Sequence, residues 1–509
     1  MGALTSESVV GVVGAGTMGA GIAHVAAAAG HRVIIFDQDK GVAERAIAGI
    51  AARLERSVER GRIDEELANQ TNRNLTAAAS INDLSECRLV IEAIVENLGI
   101  KRLVLGEIEK MVSNDAILAT NTSSLSVTAI AAELERPEQC VGMHFFNPAP
   151  VMRLVEIVHG AVTDSEVAAT AFETAQAWGK TAVHTKSSPG FIVNRVARPY
   201  YGEALRLLSE GAANVVTLDA VYTECGAWRM GPFSLLDLIG LDVNLDVSKS
   251  VFDATFNDPR FAPSFVQQSL VDAGHLGRKT GRGFYEYGPD AVEPEPATAP
   301  DHGLDKEVVV HGDPGPLGAL VDRWSMRGIS ITHVAGDGLI SVGDIQLRLT
   351  DGRPATELVD VGLAPPNTAV IDWVHDWVTT SRVCIAAAST CSRSSLGTLV
   401  GALQAAGFRV TVIEDTPGLV VARTLSTLAS VAGDTVLHGI ASVDAIDTAM
   451  RLGTNYPSGP LQWAARIGFG RVVEVLDHLV AAYGEERYRA SLWLRRASQG
   501  ERLTRRFAP

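Results

Sequence analysis

Apolar residues early in the chain come in short runs separated by longer helical stretches. VVGVV (9–13) is a five-residue apolar run closed by glycines, and TMGAGIAHVAAAAG behind it carries the small and apolar residues of a buried helix. RVIIFD (32–37), RLVIEAI (88–94) and AILATN (116–121) repeat the strand signal, with helical segments between them. Strand and helix alternating in this way predict a parallel sheet covered on both faces, an α/β doubly wound domain over 1–186.

From Pro189 the pattern changes to long helical segments such as RVARPYYGEALRLLSEG, which predict an all-helical domain over 187–288. Residues 289–305, PDAVEPEPATAPDHGLD, are rich in proline and acids and read as an exposed linker. The strand rhythm then resumes with VVVHG (308–312), AVIDWV (369–374), VCIAAAS (383–389) and FRVTVIED (408–415), a second α/β segment over 306–412 before a further helical one over 413–509. PGFIVNR (189–195) returns as PGLVVAR (417–423) at a displacement of 228 positions. The same displacement aligns Gly179 with Gly407, Asp219 with Asp447, Gly231-Pro232 with Gly459-Pro460 and Gly240 with Gly468. The expected architecture is therefore a Rossmann-type doubly wound domain and a helical domain, followed by a degenerate second copy of the pair.

Composition narrows the chemistry. At 509 residues and 46% hydrophobic content the chain can bury several cores. A formal charge of −15 repels nucleic acids and acidic membranes, and no run approaches the roughly 20 apolar residues of a membrane span. The N-terminus lacks a signal-peptide pattern. Cys87, Cys140, Cys225, Cys384 and Cys391 are scattered and hold no C-x-x-C pair, so neither a disulfide framework nor a metal site is expected, and a reducing cytoplasm is.

GAGTMG (14–19) fits G-x-G-x-x-G, with Thr17 and Met18 inside the fingerprint. Gly14 would allow the tight turn, Gly16 the approach of a pyrophosphate, and Gly19 close packing of helix on strand. Asp37, at the end of the next strand, stands where an acid binds the adenosine ribose and repels a 2′-phosphate, so NAD is expected over NADP. NTSS (121–124) follows the apolar strand AILAT and fits a helix cap as well as a ligand edge. GMHFFNPAPVMRLVE contains His144 and Glu156, and periodicity does not separate a structural histidine from a catalytic one.

GAGTMGAGIA, IEAIVEN, NTSSLS, HFFNPAPVMRLVE, PGFIVNR and KTGRGFYEY stand in the order that characterises the (S)-3-hydroxyacyl-CoA dehydrogenase family, which residues 8–287 resemble. RVARPYYGEA, DLIGLDVN and RFAPSFVQQ are similar to its longer bacterial members, which act on 3-hydroxyadipyl-CoA in phenylacetate degradation, with 3-hydroxybutyryl-CoA as the related substrate of fatty-acid catabolism. The resemblance implies oxidation of the thioester's 3-hydroxyl by NAD. It implies His144 as general base, Glu156 as the carboxylate that orients it, and Ser123 and Asn194 as partners of the substrate oxygens. Glu96, Lys101 and Asn121 match cofactor-side positions. Arg53, Arg56 and Arg60 lie at i, i+3 and i+7 of a helical stretch and are candidates for the CoA phosphates. His24 and His184 have no motif and read as structural.

In the second half Pro314 interrupts the glycine fingerprint of HGDPGPLG, Ala422 stands where Asn194 does, and the segment bearing His144 and Glu156 is expected to be missing. That half is read as a structural copy. It would make each chain a pseudo-dimer, beside the homodimer that the helical domain could form. A dehydrogenase of free β-hydroxy acids and a non-catalytic NAD- or CoA-binding scaffold are the competing readings.

Overall fold

The computed structural model describes residues 2–500 apart from 290, 293 and 305. By its internal contacts the chain forms two compact units, one of residues 2–195 with 438–454, the other of 196–437 with 455–500. Neither follows the copies as the sequence divides them: a segment of the second copy belongs with the first sheet.

The first unit is built on eight strands: β1 (Val9–Val13), β2 (Val33–Phe36), β3 (Leu75–Ala77), β4 (Cys87–Glu92), β5 (Ile117–Thr120), β6 (Cys140–Phe145), β7 (Leu154–His159) and β8 (Thr181–Lys186). Their order is β3-β2-β1-β4-β5-β6-β7-β8, and every neighbouring pair is parallel except β6 and β7. Apolar residues of β1, β4 and β5 point alternately into two cores: Val10, Val12, Leu89 and Ile91 into one, Val9, Val13, Val90 and Leu118 into the other. This two-sided burial is why these strands read as continuous apolar runs.

The second unit carries a seven-stranded sheet of β9 (Val308–His311), β10 (Ile331–Val334), β11 (Leu339–Val342), β12 (Ile345–Leu349), β13 (Thr368–Ile371), β14 (Arg382–Ala387) and β15 (Arg409–Val412), ordered β10-β9-β11-β12-β13-β14-β15. It is mixed rather than parallel, because β11 runs antiparallel to both β9 and β12. Helix Arg393–Ala405 packs on β11, β12 and β15, helix Ala355–Asp360 on β13 and β14, and the first copy's turn Val221–Cys225 on β14. The linker segment is mostly exposed, yet Ala299 N–H donates to Val410 C=O and His302 N–H to the Gln404 side chain, so part of it lies pinned along this sheet.

The duplication is deeper than the sequence phrase. Helix Ser165–Ala177 recurs as Arg393–Ala405, Pro232–Ile239 as Pro460–Ile467, and β7 as β14, each displaced by 228 positions with identical bounds. Gly240 (φ 101°, ψ 124°) and Gly468 (φ 101°, ψ 122°) share one backbone state, as do the non-glycine positive-φ residues Phe191 (47°) and Leu419 (49°). One expectation is overturned here. The strand pair that bears His144 and Glu156 is not missing from the second half, because β13 and β14 are its antiparallel counterpart. Asp372 occupies the position of His144 and Cys384 that of Glu156, and Asp372 N–H donates to Cys384 C=O at 2.9 Å.

Candidate active site

The glycine turn follows β1. Gly14 has φ 93°, and a Cβ there would lie 2.7 Å from the Ala93 carbonyl oxygen, so only glycine fits. A Cβ at Gly19 would meet the Gly14 carbonyl oxygen at 1.7 Å, which is the close helix-strand packing expected of the third glycine. A Cβ at Gly16 would meet nothing within 4 Å, so the middle glycine borders open space on the side where a pyrophosphate would approach. Thr17 and Met18 open helix Thr17–Ala28. Asp37, one residue beyond β2, accepts the Ala15 N–H at 2.8 Å and the Asp39 N–H at 3.0 Å, so its carboxylate lies against the same turn. This cradle fits a dinucleotide.

The same carboxyl-terminal edge of the parallel strands carries the remaining groups. Asn121 follows β5 and its Oδ1 accepts the Phe145 N–H at 2.8 Å, tying the end of β5 to the end of β6 beside His144. Glu96 collects the NTSS loop: one oxygen accepts from Thr122 Oγ1 (2.6 Å), Ser123 N (3.0 Å), Ser124 N (3.1 Å) and Ser124 Oγ (2.9 Å). Burial opposes ionisation of Glu96, but these donors and the Lys101 charge outweigh it and hold its carboxyl below the ordinary value. Lys101 is fully buried, with Nζ 2.9 Å from both Glu92 oxygens and 3.3 Å from Glu96. It therefore acts on the loop through Glu96 rather than by presenting its amine.

His144 on β6 and Glu156 on β7 are direct cross-strand partners, with Nδ1 2.6 Å from Glu156 Oε2. Both are buried, Glu156 completely. The other oxygen, Oε1, accepts the N–H groups of Ile192 (3.1 Å) and Val193 (3.0 Å). Those amides turn toward it because Gly190 (φ 74°) and Phe191 (φ 47°) both take the left-handed conformation. Phe191 is strained by that state and held in it by complete burial. A carboxylate can only accept, so its bond to Nδ1–H leaves the lone pair on Nε2. The rings of Phe146 and Phe191 flank the imidazole at 4.5 and 5.7 Å. Asn194, following the same turn, donates from Nδ2 to the Ser123 carbonyl at 3.3 Å. Hence His144 pairs with Glu156 and Ser123 with Asn194, the PGFIVNR turn joining the two pairs. The arrangement can remove a proton at a sheet edge next to a dinucleotide cradle.

Arg53 and Arg56 lie on helix Val42–Glu59, Arg60 caps its end, and all three are exposed. Burial first, then the charges of Arg53 and Lys180, press the His24 imidazole down to about 4. His184 sits on β8, with Nδ1 2.8 Å from His159 Nε2 and its ring stacked on Phe172. Sequence reasoning missed Glu92 and the Phe146 and Phe191 rings. Glu92 was detectable, since a carboxylate inside an apolar central strand needs a buried partner. The positive φ of Phe191 leaves no mark in residue type.

Comparison with known proteins gives a consistent result. Residues 9–188 match the NAD-binding domain of 3-hydroxyacyl-CoA dehydrogenase, and residues 190–287 and again 418–507 match its C-terminal domain. Residues 347–417 match the reduced Rossmann-fold domain of 3-hydroxybutyryl-CoA dehydrogenase. The 3-hydroxyadipyl-CoA dehydrogenase of Escherichia coli (strain K12) is 42% identical over 486 residues, 96% of each chain. The mitochondrial hydroxyacyl-coenzyme A dehydrogenase of Sus scrofa is 37% identical over 286 residues, 55% of this chain and 90% of its own. The crystal structure of 3-hydroxybutyryl-CoA dehydrogenase from Escherichia coli K12 substr. MG1655 superposes with a TM-score of 0.89 at 40% identity, covering 98% of this chain and 99% of that one.

Proposed function

Since the chain belongs to the NAD-dependent 3-hydroxyacyl-CoA dehydrogenase family, we propose that its first copy oxidises the 3-hydroxyl of an (S)-3-hydroxyacyl-CoA thioester through His144. The observation that carries this reading is the buried His144–Glu156 pair, with Nδ1 committed to the carboxylate and Nε2 left to accept a proton. The glycine turn and Asp37 would hold NAD, which would supply the acceptor for the C3 hydride. His144 Nε2 takes the hydroxyl proton, and Glu156, fixed by two backbone N–H groups, stabilises the imidazolium that results. Ser123 and Asn194 orient the substrate oxygens. Gly14, Gly16, Thr17, Met18, Gly19 and Asp37 hold the dinucleotide, with Asn121, Glu96 and Lys101 setting the loop beside it. Arg53, Arg56 and Arg60 meet the CoA phosphates. The substrates are short thioesters of the kind named for the relatives, 3-hydroxyadipyl-CoA and 3-hydroxybutyryl-CoA, and the setting is the cytoplasm.

NADH formation tests this with (S)-3-hydroxybutyryl-CoA, free 3-hydroxybutyrate, and adipyl, six-carbon and eight-carbon thioesters. Turnover of thioesters and not of the free acid is expected. His144→Ala should lower kcat by roughly 10²–10⁴ with the fold intact. Near-normal turnover in that variant removes His144 from the role of base.

A further inference from the structure

In the internal register, helix Val443–Thr454 is the counterpart of Val215–Ala220 and the π-helical turn Val221–Cys225 that continues it. It lies in the compact unit of the first sheet and packs on β7 and β8. Just before it, the Ile440 carbonyl accepts the Lys186 N–H from the end of β8 at 2.9 Å. The reciprocal contact exists in the other unit, where Val221–Cys225 packs on β14, the counterpart of β7. There Cys225 Sγ donates to the Arg382 carbonyl at 3.2 Å, and the Cys225 carbonyl accepts the His375 N–H at 2.8 Å. Each copy thus lends one helical segment to the sheet of the other.

The place where the lent segment meets the first sheet is specific. Gly453 aligns with Cys225, and Leu154 with Arg382, so the closest approach falls at equivalent positions in both units. A Cβ on Gly453 would lie 2.8 Å from Leu154 Cδ2, 3.1 Å from Val193 Cγ2 and 3.7 Å from Phe146 Cε1. Each of these residues frames the proposed base. Leu154 is two positions before Glu156 on the same face of β7. Val193 N–H donates to Glu156 Oε1. The Phe146 ring lies 4.5 Å from the His144 ring.

We infer that the second copy positions the catalytic pair of the first: helix Val443–Thr454 backs the strand that carries Glu156, and Gly453 is the positioning residue that leaves room for Leu154, Val193 and Phe146. Any side chain at 453 moves one of the three, and a misplacement of about 1 Å in a proton-transfer geometry costs up to about 10²-fold in rate. The inference rests on the reading of His144 as base.

The test uses the full chain with NAD and (S)-3-hydroxybutyryl-CoA. Gly453→Val is expected to lower kcat about 10-fold or more while KM for NAD stays within about twofold, because the glycine turn follows β1, four strands away from β7 in the sheet order. Gly453→Val with Leu154→Ala exchanges volume across the contact and should return kcat to within about threefold of the parent. Unchanged kcat in Gly453→Val overturns the inference. So does a loss of kcat together with NADH binding and folded-state signal that the double variant does not restore, since that describes a folding contact only. A fully active His144→Ala chain would instead defeat the underlying reading, whatever Gly453→Val does.

Discussion

The backbone N–H groups that open the two PG helices are answered by different side chains. In the first copy Glu156 accepts those of Ile192 and Val193 from β7. In the second, Asp372, at the end of β13, accepts those of Val420, Val421 and Ala422 at 2.7–2.9 Å. The carboxylate has moved across the strand pair onto the position of the base, which leaves no imidazole to orient, and Cys384 fills the vacated place. Burial outweighs these donors and lifts the Asp372 carboxyl from 3.8 to about 6. The folded state therefore holds this proton more tightly, and stability attributable to the group falls as pH rises from about 4 to about 6, then levels off. The difference in unfolding free energy between the parent and Asp372→Asn should shift against the parent by roughly 1–3 kcal/mol between pH 4 and 7.5. A pH-independent difference contradicts the assignment. Asp37 makes the second residue-scale prediction: Asp37→Ser should weaken NAD binding and narrow the preference over NADP, measured as the ratio of kcat/KM values. Equal use of both cofactors by the parent chain would count against it. Gly14 and Asp37 were marked by the glycine fingerprint and its spacing, whereas His144 was marked only by its place in HFFNP among the ordered family motifs. Asp372 was not, since an aspartate after an apolar run carries no family mark. Its spacing was nevertheless present, with thirty-three positions separating Glu156 from Pro189 and Cys384 from Pro417.

Among elements, the strands before and after the glycine turn declared themselves by uninterrupted apolar runs. β10, β11 and β12 did not: Ile331–Val334 is a poorly buried edge strand parallel to β9, and the antiparallel Leu339–Val342 and Ile345–Leu349 are buried only at alternate positions, so all three resemble loop. The helices were legible as a class, but which sheet each one covers was not. Partner choice depends on complementary surfaces far apart in sequence, and Gly453 looks like any helix-end glycine. The helix Val421–Leu437 carries the clearest energetic anchor. Arg423 is fully buried, with Nε 2.7 Å from Glu203, Nη1 2.9 Å from Glu210 and Tyr483, and Nη2 2.7 Å from Tyr488. Burial works against its charge, and Glu203 with the surrounding acceptors outweighs it, holding the guanidinium protonated. Glu203 and Glu210 come from the first copy's helix Arg198–Ser209 and its cap, so one side chain joins the helices of both copies. Arg423→Leu leaves buried Glu203 with only the more distant Arg487, at 4.0 Å, as a cation and should cost about 3–5 kcal/mol in equilibrium unfolding, part of it returned by adding Glu203→Leu. A loss below about 1 kcal/mol would show that water reaches the cluster.

At the scale of the whole molecule, duplication has separated two tasks. The first copy keeps the glycine cradle, His144, Glu156, Ser123 and Asn194. The second keeps the turns, the strand pair and the helices, with a proline in the cradle and Asp372, Cys384 and Ala422 at the chemical positions. The exchange of helical segments gives that second copy a reason to persist, because it backs the strand on which Glu156 stands. Under the proposed function each chain therefore has one dinucleotide site and one active site. Equilibrium titration of the full chain with NADH, read calorimetrically, tests this most directly. One site per chain, abolished by closing the cradle with Gly14→Val and unaffected by Gly312→Val in the second copy, is the predicted result. Two sites per chain, or dehydrogenase activity from residues 306–509 alone, would contradict it.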